Sequence, residues 1–304
     1  SSNITSLVIQ FNFGFFDLNQ LSVLINKLKD KGINTIVFMH STMNISDLDE
    51  NLLYKFINSL KRCDRILVHS IEDINRLKDQ GLINNVSLFP HGIVDFSPPK
   101  QIFYNLKNLI NKTYLHIASY GFCLPNKGFS QLIEAIYLLK KRKIMVKLYL
   151  YTAIYNDHYA FLNQQLTDLI TNLDLNDLIK VNSDYLEQDD LLNRLSKCDL
   201  IVYPYQSSNE SSSASVRDGL ATLKPVLVTP ISIFNDVSQL VNFFPGTTPK
   251  DLADGIEKWQ NLSKNNSEYI EKRNVEKYKL VNNIRFNLIG SRLSSIIHSL
   301  ENNS

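Results

Sequence analysis

Glu210 and Asp218 stand eight residues apart, and the stretch between them, SSSASVR, is rich in small residues. Ionised carboxylates are acceptor-only groups, able to take hydrogen bonds from hydroxyls. The apolar run Leu200-Ile201-Val202-Tyr203 precedes them as a buried strand, and Pro225-Val226-Leu227-Val228-Thr229 follows as another. Between the two, Ser211-Ser212-Ser213-Ala214-Ser215 enters a helix-like segment that carries Arg217 and Asp218. A strand, a loop and a small-residue helix start form a site for phosphate, because free backbone N–H groups and the helix dipole both favour an anion. An anion cradle beside hydroxyl-accepting acids points to a nucleotide-sugar site.

The elements that would position this segment alternate along the chain. Strands are expected at 6–10, 33–39, 65–68 and 86–89, with helices at 18–31, 47–60 and 71–80 between them. Pro90-His91-Gly92 and Ser97-Pro98-Pro99 then break the pattern and mark a domain boundary. The alternation restarts with strands at 114–119, 146–151, 179–182 and 200–203, and helices at 130–141, 159–173 and 187–196. A helix at 249–262 and one long helical tail at 268–301 close the chain. This rhythm implies α/β architecture with parallel sheets covered on both faces. LKRCDRILV at 60–68 echoes LSKCDLIV at 195–202, each a helix end, a Cys-Asp corner and a buried strand. The echo supports two Rossmann-like domains; the blander alternative is that helix-to-strand turns generally favour Asp and apolar residues.

Bulk composition narrows the class. At 304 residues the chain is long enough for two domains, and 44% hydrophobic with 20% charged residues is ordinary for a globular protein. A net charge of +2 gives no argument for a nucleic-acid partner. The basic run KKRKIMVK at 140–147 is either a solvated helix terminus or a surface leaning on anionic lipid, which would make a peripheral membrane contact. Three scattered cysteines, Cys63, Cys123 and Cys198, form no CxxC or Cys/His pair, so a reducing, cytoplasmic location is expected. The single Asp-x-Asp, Asp47-Leu48-Asp49, opens an expected helix, where capping accounts for it better than metal binding; no catalytic metal is expected. Only four strands precede the boundary, where a doubly wound domain usually has about six. With the Ser-Ser-Asn start, this leads to the expectation of an incomplete first domain belonging to a longer polypeptide.

Several motifs together resemble the GT-B glycosyltransferases of the large retaining group called family 4, also known as glycosyl transferases group 1. SYGFCLPNKGFSQLIEAI resembles the first loop of that family's donor domain, and ESSSASVRDG its Glu-x7-Glu motif with Asp218 replacing the second glutamate. FMHST resembles the histidine-bearing strand end of the acceptor domain, VSLFPHGI the strand at the hinge, and VIQFNFGFF a late segment of the N-terminal domain. The resemblance implies two Rossmann-like domains facing across a cleft: a partial acceptor-side domain at 1–96, a nucleotide-sugar donor domain at 97–265, and a helical segment at 266–304 crossing back to the first.

Roles follow position by position. Lys127 would neutralise the donor diphosphate as the sugar leaves, Glu210 would hold the donor sugar's hydroxyls, and Asp218 would hold the ribose. Ser212, Ser213 and Ala214 would let phosphate oxygens approach the helix amides, Gly121 would allow close backbone approach, and His40 would lie near the reacting sugar. Tyr205 and Asn182 would line the base pocket. Many relatives carry an arginine where Phe122 stands, and Arg217 either compensates or does not. No cofactor is implied beyond a UDP- or GDP-sugar as substrate. The acceptor would be a glycan or lipid-linked molecule in surface polysaccharide synthesis, at the inner face of the membrane. Each residue also has an ordinary reading: a surface turn for Lys127, an idle solvated acid for Glu210, a helix-surface acid for Asp218, a cap for the serines, a core histidine for His40. Two alternatives remain open at this level, a non-catalytic module of the same fold and a nucleotide-sugar epimerase.

Overall fold

Apolar runs become parallel strands, and the amphipathic segments between them become the helices that cover the sheets. A computed structural model of the protein describes residues 4–97 and 112–302, so the Pro98-Pro99 part of the expected boundary lies outside the described residues. The chain divides into two compact units, one comprising Ser1–Gly92, Asn209–Ser213 and Ile284–Ser304, the other Ile93–Ser208 and Ala214–Asn283.

In the first unit the elements run β1 (Ser6–Phe11), α1 (Leu18–Asp30), β2 (Asn34–Met39), α2 (Glu50–Lys61), β3 (Arg65–Val68), α3 (Ile71–Asp79) and β4 (Val86–Leu88). The four strands form one parallel sheet in the order β1-β2-β3-β4, with Val8 opposite Ile36, Val37 opposite Ile66 and Leu67 opposite Ser87. Side chains alternate across a strand. Val37 and Met39 therefore join Phe11, Ile25, Phe56 and Val68 on one face, while Ile36 and Phe38 join Leu67, Phe89 and Ile289 on the other. Ile289 belongs to the last helix, Phe286–Glu301. Both faces being covered, every residue of β2 is buried.

Two expected elements differ from the structure. The helix expected at 47–60 is split into a 3-10 turn, Met43–Asp47, and α2, whose N-cap is Asp49 accepting from the Leu52 amide at 3.0 Å. The single tail expected at 268–301 is two helices, Ser267–Asn283 and Phe286–Glu301, separated at Arg285, which is extended with φ −66° and ψ 150°. Ile284 before the break packs with Ile36, Phe38 and Leu67, so the interruption turns an apolar residue onto the first unit's sheet.

The second unit contains β5 (Leu115–Tyr120), α4 (Phe129–Lys141), β6 (Val146–Tyr151), α5 (Ala160–Asn172), β7 (Ile179–Asn182), α6 (Gln188–Ser196), β8 (Leu200–Tyr203), α7 (Ala214–Ala221), β9 (Val226–Val228), β10 (Asn242–Phe243), α8 (Pro249–Asn265) and α9 (Ser267–Asn283). Its six strands are parallel in the order β10-β9-β8-β5-β6-β7. The chain builds outward from β5 to β7, returns to β8 on the other side of β5, and builds outward again. The strand order thus reverses between β5 and β8, and open parallel sheets bind ligands at the carboxyl ends of strands beside such a point.

The Cys-Asp echo is a shared piece of architecture. Asp64 donates its amide to the Thr35 carbonyl and accepts from the Thr35 amide and the Lys29 ammonium. Asp199 repeats this with the His116 carbonyl, the His116 amide and the Lys112 ammonium. In each unit the acid ties the start of one strand to its neighbour, satisfying a backbone donor at the sheet's amino end.

Candidate functional site

The loops leaving β5 and β8 meet in the second unit. Gly121, directly after β5, has φ +153°, a conformation L side chains rarely adopt. Four residues on begins the 3-10 turn Pro125–Lys127, closed by Gly128 at φ +73°, where an added Cβ would run into the Pro204 carbonyl. The close approach is fixed by hydrogen bonds from the Gln206 amide to the Asn126 carbonyl and from Asn126 Nδ2 to the Ser207 carbonyl, both 2.9 Å. As a result Lys127 Nζ sits 3.9 Å from the centroid of the Tyr205 ring, a cation–π contact that orients its charge. Tyr205 is fully buried and its hydroxyl has no hydrogen-bond partner among the described residues.

Beside this turn lies an open cavity at the carboxyl ends of β5 and β6. Tyr120, Phe122, Tyr151 and Tyr185 supply aromatic walls, Ala214 and Ser215 bring the first residues of α7, and Asp184 and Asp218 bring carboxylates. Phe122 meets Tyr155 edge-on at 5.2 Å. Burial pushes the Asp218 carboxyl up to about 6, against the opposing pull of a 3.3 Å hydrogen bond from Gln188 Nε2 and the charge of Arg217. Burial and the nearby Asp218 push the Tyr120 phenol up to about 12. The set is suited to a flat aromatic group, hydroxyls and an anion at one helix start.

Arg217 is itself buried and paired with Asp236, so its guanidinium is engaged within the fold and does not line the cavity. Tyr205 and Asn182 do not line it either; Tyr205 lies beneath Lys127 instead. In the basic run, Lys140 pairs with Asp174, Arg142 with Asp254 and Glu257, and Lys147 with the Asp177 carbonyl. The three cysteines are buried, and burial raises the thiols of Cys63 and Cys198 to about 12 and of Cys123 to about 11, which leaves them poor nucleophiles at neutral pH.

The remaining expected residues belong to the first unit. Glu210 is exposed, while Ser212 and Ser213 are buried. Their segment is anchored by Asp73, whose Oδ1 accepts from Ser211 Oγ at 2.6 Å, Thr42 Oγ1 at 2.5 Å and Arg76 Nη2 at 2.8 Å. Ser41 Oγ adds a bond to the Asn209 carbonyl at 2.9 Å. Burial disfavours the Asp73 anion, but the bonds from Ser211, Thr42, Ser70 and Arg76 outweigh it and hold the carboxyl below its usual range. Sequence reasoning missed this anchor. The Ser70-x-x-Asp73 capping box was legible, but nothing local ties it to a segment 138 residues away. His40 follows β2, half-buried, with Nε2 on Gln10 Oε1 at 2.8 Å and Nδ1 facing His69 Nε2 at 3.1 Å. Burial lowers its pKa and favours the neutral ring.

Several solved structures share this fold. Sucrose-phosphate synthase from Thermosynechococcus elongatus aligns over 99% of this chain and 74% of its own, with a TM-score of 0.74 at 14% identity. A glycosyltransferase from Rickettsia africae aligns over 97% and 85%, with a TM-score of 0.68 at 15% identity. Anabaena HepE in complex with UDP aligns over 96% and 78%, with a TM-score of 0.75 at 14% identity. At such identities the likeness is one of fold. Among curated protein sequences none matches the chain. The family model for glycosyl transferases group 1 does match, over residues 101–276, more than half of the chain and the whole loop-and-cavity region just described. The protein is therefore a member of the group 1 glycosyltransferases, with the two parallel-sheet units of the GT-B fold.

Proposed function

We propose that the protein transfers a sugar from a nucleoside diphosphate sugar to a glycan or lipid-linked acceptor, with retention of anomeric configuration. The observation that carries the donor half is the cavity of the second unit, where aromatic walls, Asp218 and the start of α7 converge beside the strand-order reversal. The base stacks among Tyr120, Phe122 and Tyr185, and the Asp218 carboxylate accepts from the ribose hydroxyls. The diphosphate lies toward the α7 amides at Ala214 and Ser215, with Gly121 allowing close approach and the Lys127 ammonium countering the charge that grows as the sugar departs. The Tyr205 hydroxyl, buried near Gly121, gains the diphosphate as its partner. Glu210 holds the donor sugar's hydroxyls, Ser212 and Ser213 shape the phosphate approach, and His40 acts near the reacting sugar.

In the transfer, the bond from the anomeric carbon to the diphosphate oxygen breaks. The acceptor oxygen bonds to that carbon on the same face, and its proton passes to the departing phosphate oxygen. Surface polysaccharide synthesis at the inner face of the membrane is the setting we assign, by analogy of family. Among the described residues no helix is long and apolar enough to cross a membrane, and a peripheral contact would use surface residues.

Titrating UDP and GDP while following thermal unfolding tests the reading. One of them is expected to raise Tm in the wild type and to do so far less in Asp218→Ala. Failure of both nucleotides to stabilise the wild type overturns the donor site.

A further inference from the structure

The parallel order β1-β2-β3-β4 sets the carboxyl ends of the first unit's strands side by side. Histidines stand at three of those ends: His40 after β2, His69 after β3 and His91 after β4, with one nitrogen from each lying within 4.8 Å of the others. Each ring also has a nitrogen directed at an oxygen acceptor. His40 Nε2 meets Gln10 Oε1 at 2.8 Å, His69 Nδ1 meets the Phe89 carbonyl at 3.2 Å, and His91 Nδ1 meets the Gly92 carbonyl at 3.1 Å. An oxygen acceptor calls for an N–H on the nitrogen facing it. With that tautomer His40 Nδ1 and His69 Nε2 carry the ring lone pairs, and these two nitrogens face each other, with one nitrogen of His91 close by.

His40 Nδ1 and His69 Nε2 lie 3.1 Å apart. Two lone pairs at that distance repel unless a cation sits between or beside them. A proton shared between the two rings is one such cation, and a metal ion held by both and by His91 is another. Zinc–nitrogen bonds of about 2.0–2.1 Å in tetrahedral geometry place neighbouring ligand nitrogens roughly 3.3 Å apart. The His40–His69 pair already has that spacing, and His91, in the short segment after β4, needs to draw in by roughly 1.5 Å at most. The oxygen acceptors behind the rings match the outer partners that fix tautomer and orientation in histidine metal sites.

We propose that His40, His69 and His91 bind one divalent transition-metal ion, for which Zn²⁺ is well suited, with a fourth position open to solvent. Imidazole ligands select zinc and its neighbours over magnesium or calcium. His69 is buried while His40 and His91 are half-buried, so the ion enters from the His40–His91 side. Occupancy would engage His40 Nδ1 and so withdraw it from the role proposed for His40 near the reacting sugar.

Calorimetric titration of the chelator-treated, tag-free chain with ZnCl₂, with Co²⁺ absorption as a second readout, tests the proposal without nucleotide or acceptor. One Zn²⁺ per chain and a tetrahedral Co²⁺ spectrum are expected. His91→Gln should weaken binding by about 100-fold or more, and Gln10→Ala, at an exposed position, by about 10–100-fold. His158→Gln, a histidine of the second unit, should bind as the wild type does. Absence of stoichiometric binding in the wild type overturns the site, and so does wild-type affinity in His91→Gln.

Discussion

Lys127 Nζ lies 3.9 Å from the centroid of the Tyr205 ring, and the buried hydroxyl of that same ring has no hydrogen-bond partner among the described residues. The ring face attracts the ammonium electrostatically, while the unpaired hydroxyl has lost its water without compensation. One residue therefore orients the proposed diphosphate cation and carries an unmet donor beside Gly121. Tyr205→Phe keeps the ring and removes the unmet group. It is expected to leave stability unchanged or raise it by up to about 1 kcal/mol in denaturant unfolding, and to weaken the nucleotide-induced Tm shift.

Lys127→Met removes the cation without disturbing the Gly128 turn. Loss of one group that stabilises charge in the transition state typically costs about 10²–10³ in kcat, and that loss is expected in a sugar-transfer assay. An unchanged kcat would remove Lys127 from the site.

Asp218 gives a pH dependence of definite sign. Its folded pKa, about 6, lies above the ordinary value of 3.8, so the folded state holds the proton more tightly than the unfolded chain does. The charged carboxylate then costs stability at neutral pH, and the cost disappears as pH falls through 6 toward 4. Asp218→Asn should therefore be more stable than wild type at pH 7.5, with Tm values converging near pH 4. Its nucleotide affinity at pH 7.5 should fall, because an amide is a poorer acceptor for ribose hydroxyls than a carboxylate.

Asp73 has the opposite sign. Its depressed pKa means that it contributes stability above the unfolded value near 3.8, and this contribution is lost as pH falls through the lower folded pKa. Asp73→Asn breaks a buried ionic cluster with Ser211, Thr42 and Arg76, and is expected to cost about 3 kcal/mol in urea unfolding at pH 7. It should also lower kcat, because the anchored segment carries Glu210.

Gly128→Ala forces a side chain into the Pro204 carbonyl at φ +73°. Backbone strain and overpacking together are expected to cost about 3 kcal/mol, and unfolding measurements would show it as a loss of Tm. A neutral Gly128→Ala would mean that the loops after β5 and β8 are not held as described.

The α/β alternation, the two-part organisation and the Cys-Asp corners could all be read from local pattern, because strand period, turn residues and the corner acids act within a few positions of themselves. The positions of Gly121, Lys127 and Asp218 were legible for the same reason, Gly121 and Lys127 following a strand end and Asp218 lying near a helix start. The break at Arg285 was not, since helical spacing continues across it and only packing of Ile284 and Ile289 against Ile36 and Leu67 decides it. The spending of Arg217 on Asp236 and the turning of Tyr205 beneath Lys127 depend likewise on what lies across the fold.

The sequence by itself determined which residue types stand at strand ends and helix starts, and through them the family. Tertiary structure alone decided which of those ends meet. Strand order is a property of hydrogen bonding between segments far apart in the chain, so only the fold could set β8 against β5 beside the cavity of the second unit. Only the fold, too, could place His40, His69 and His91 together, since 29 residues separate the first two and strand pairing brings their rings to 3.1 Å.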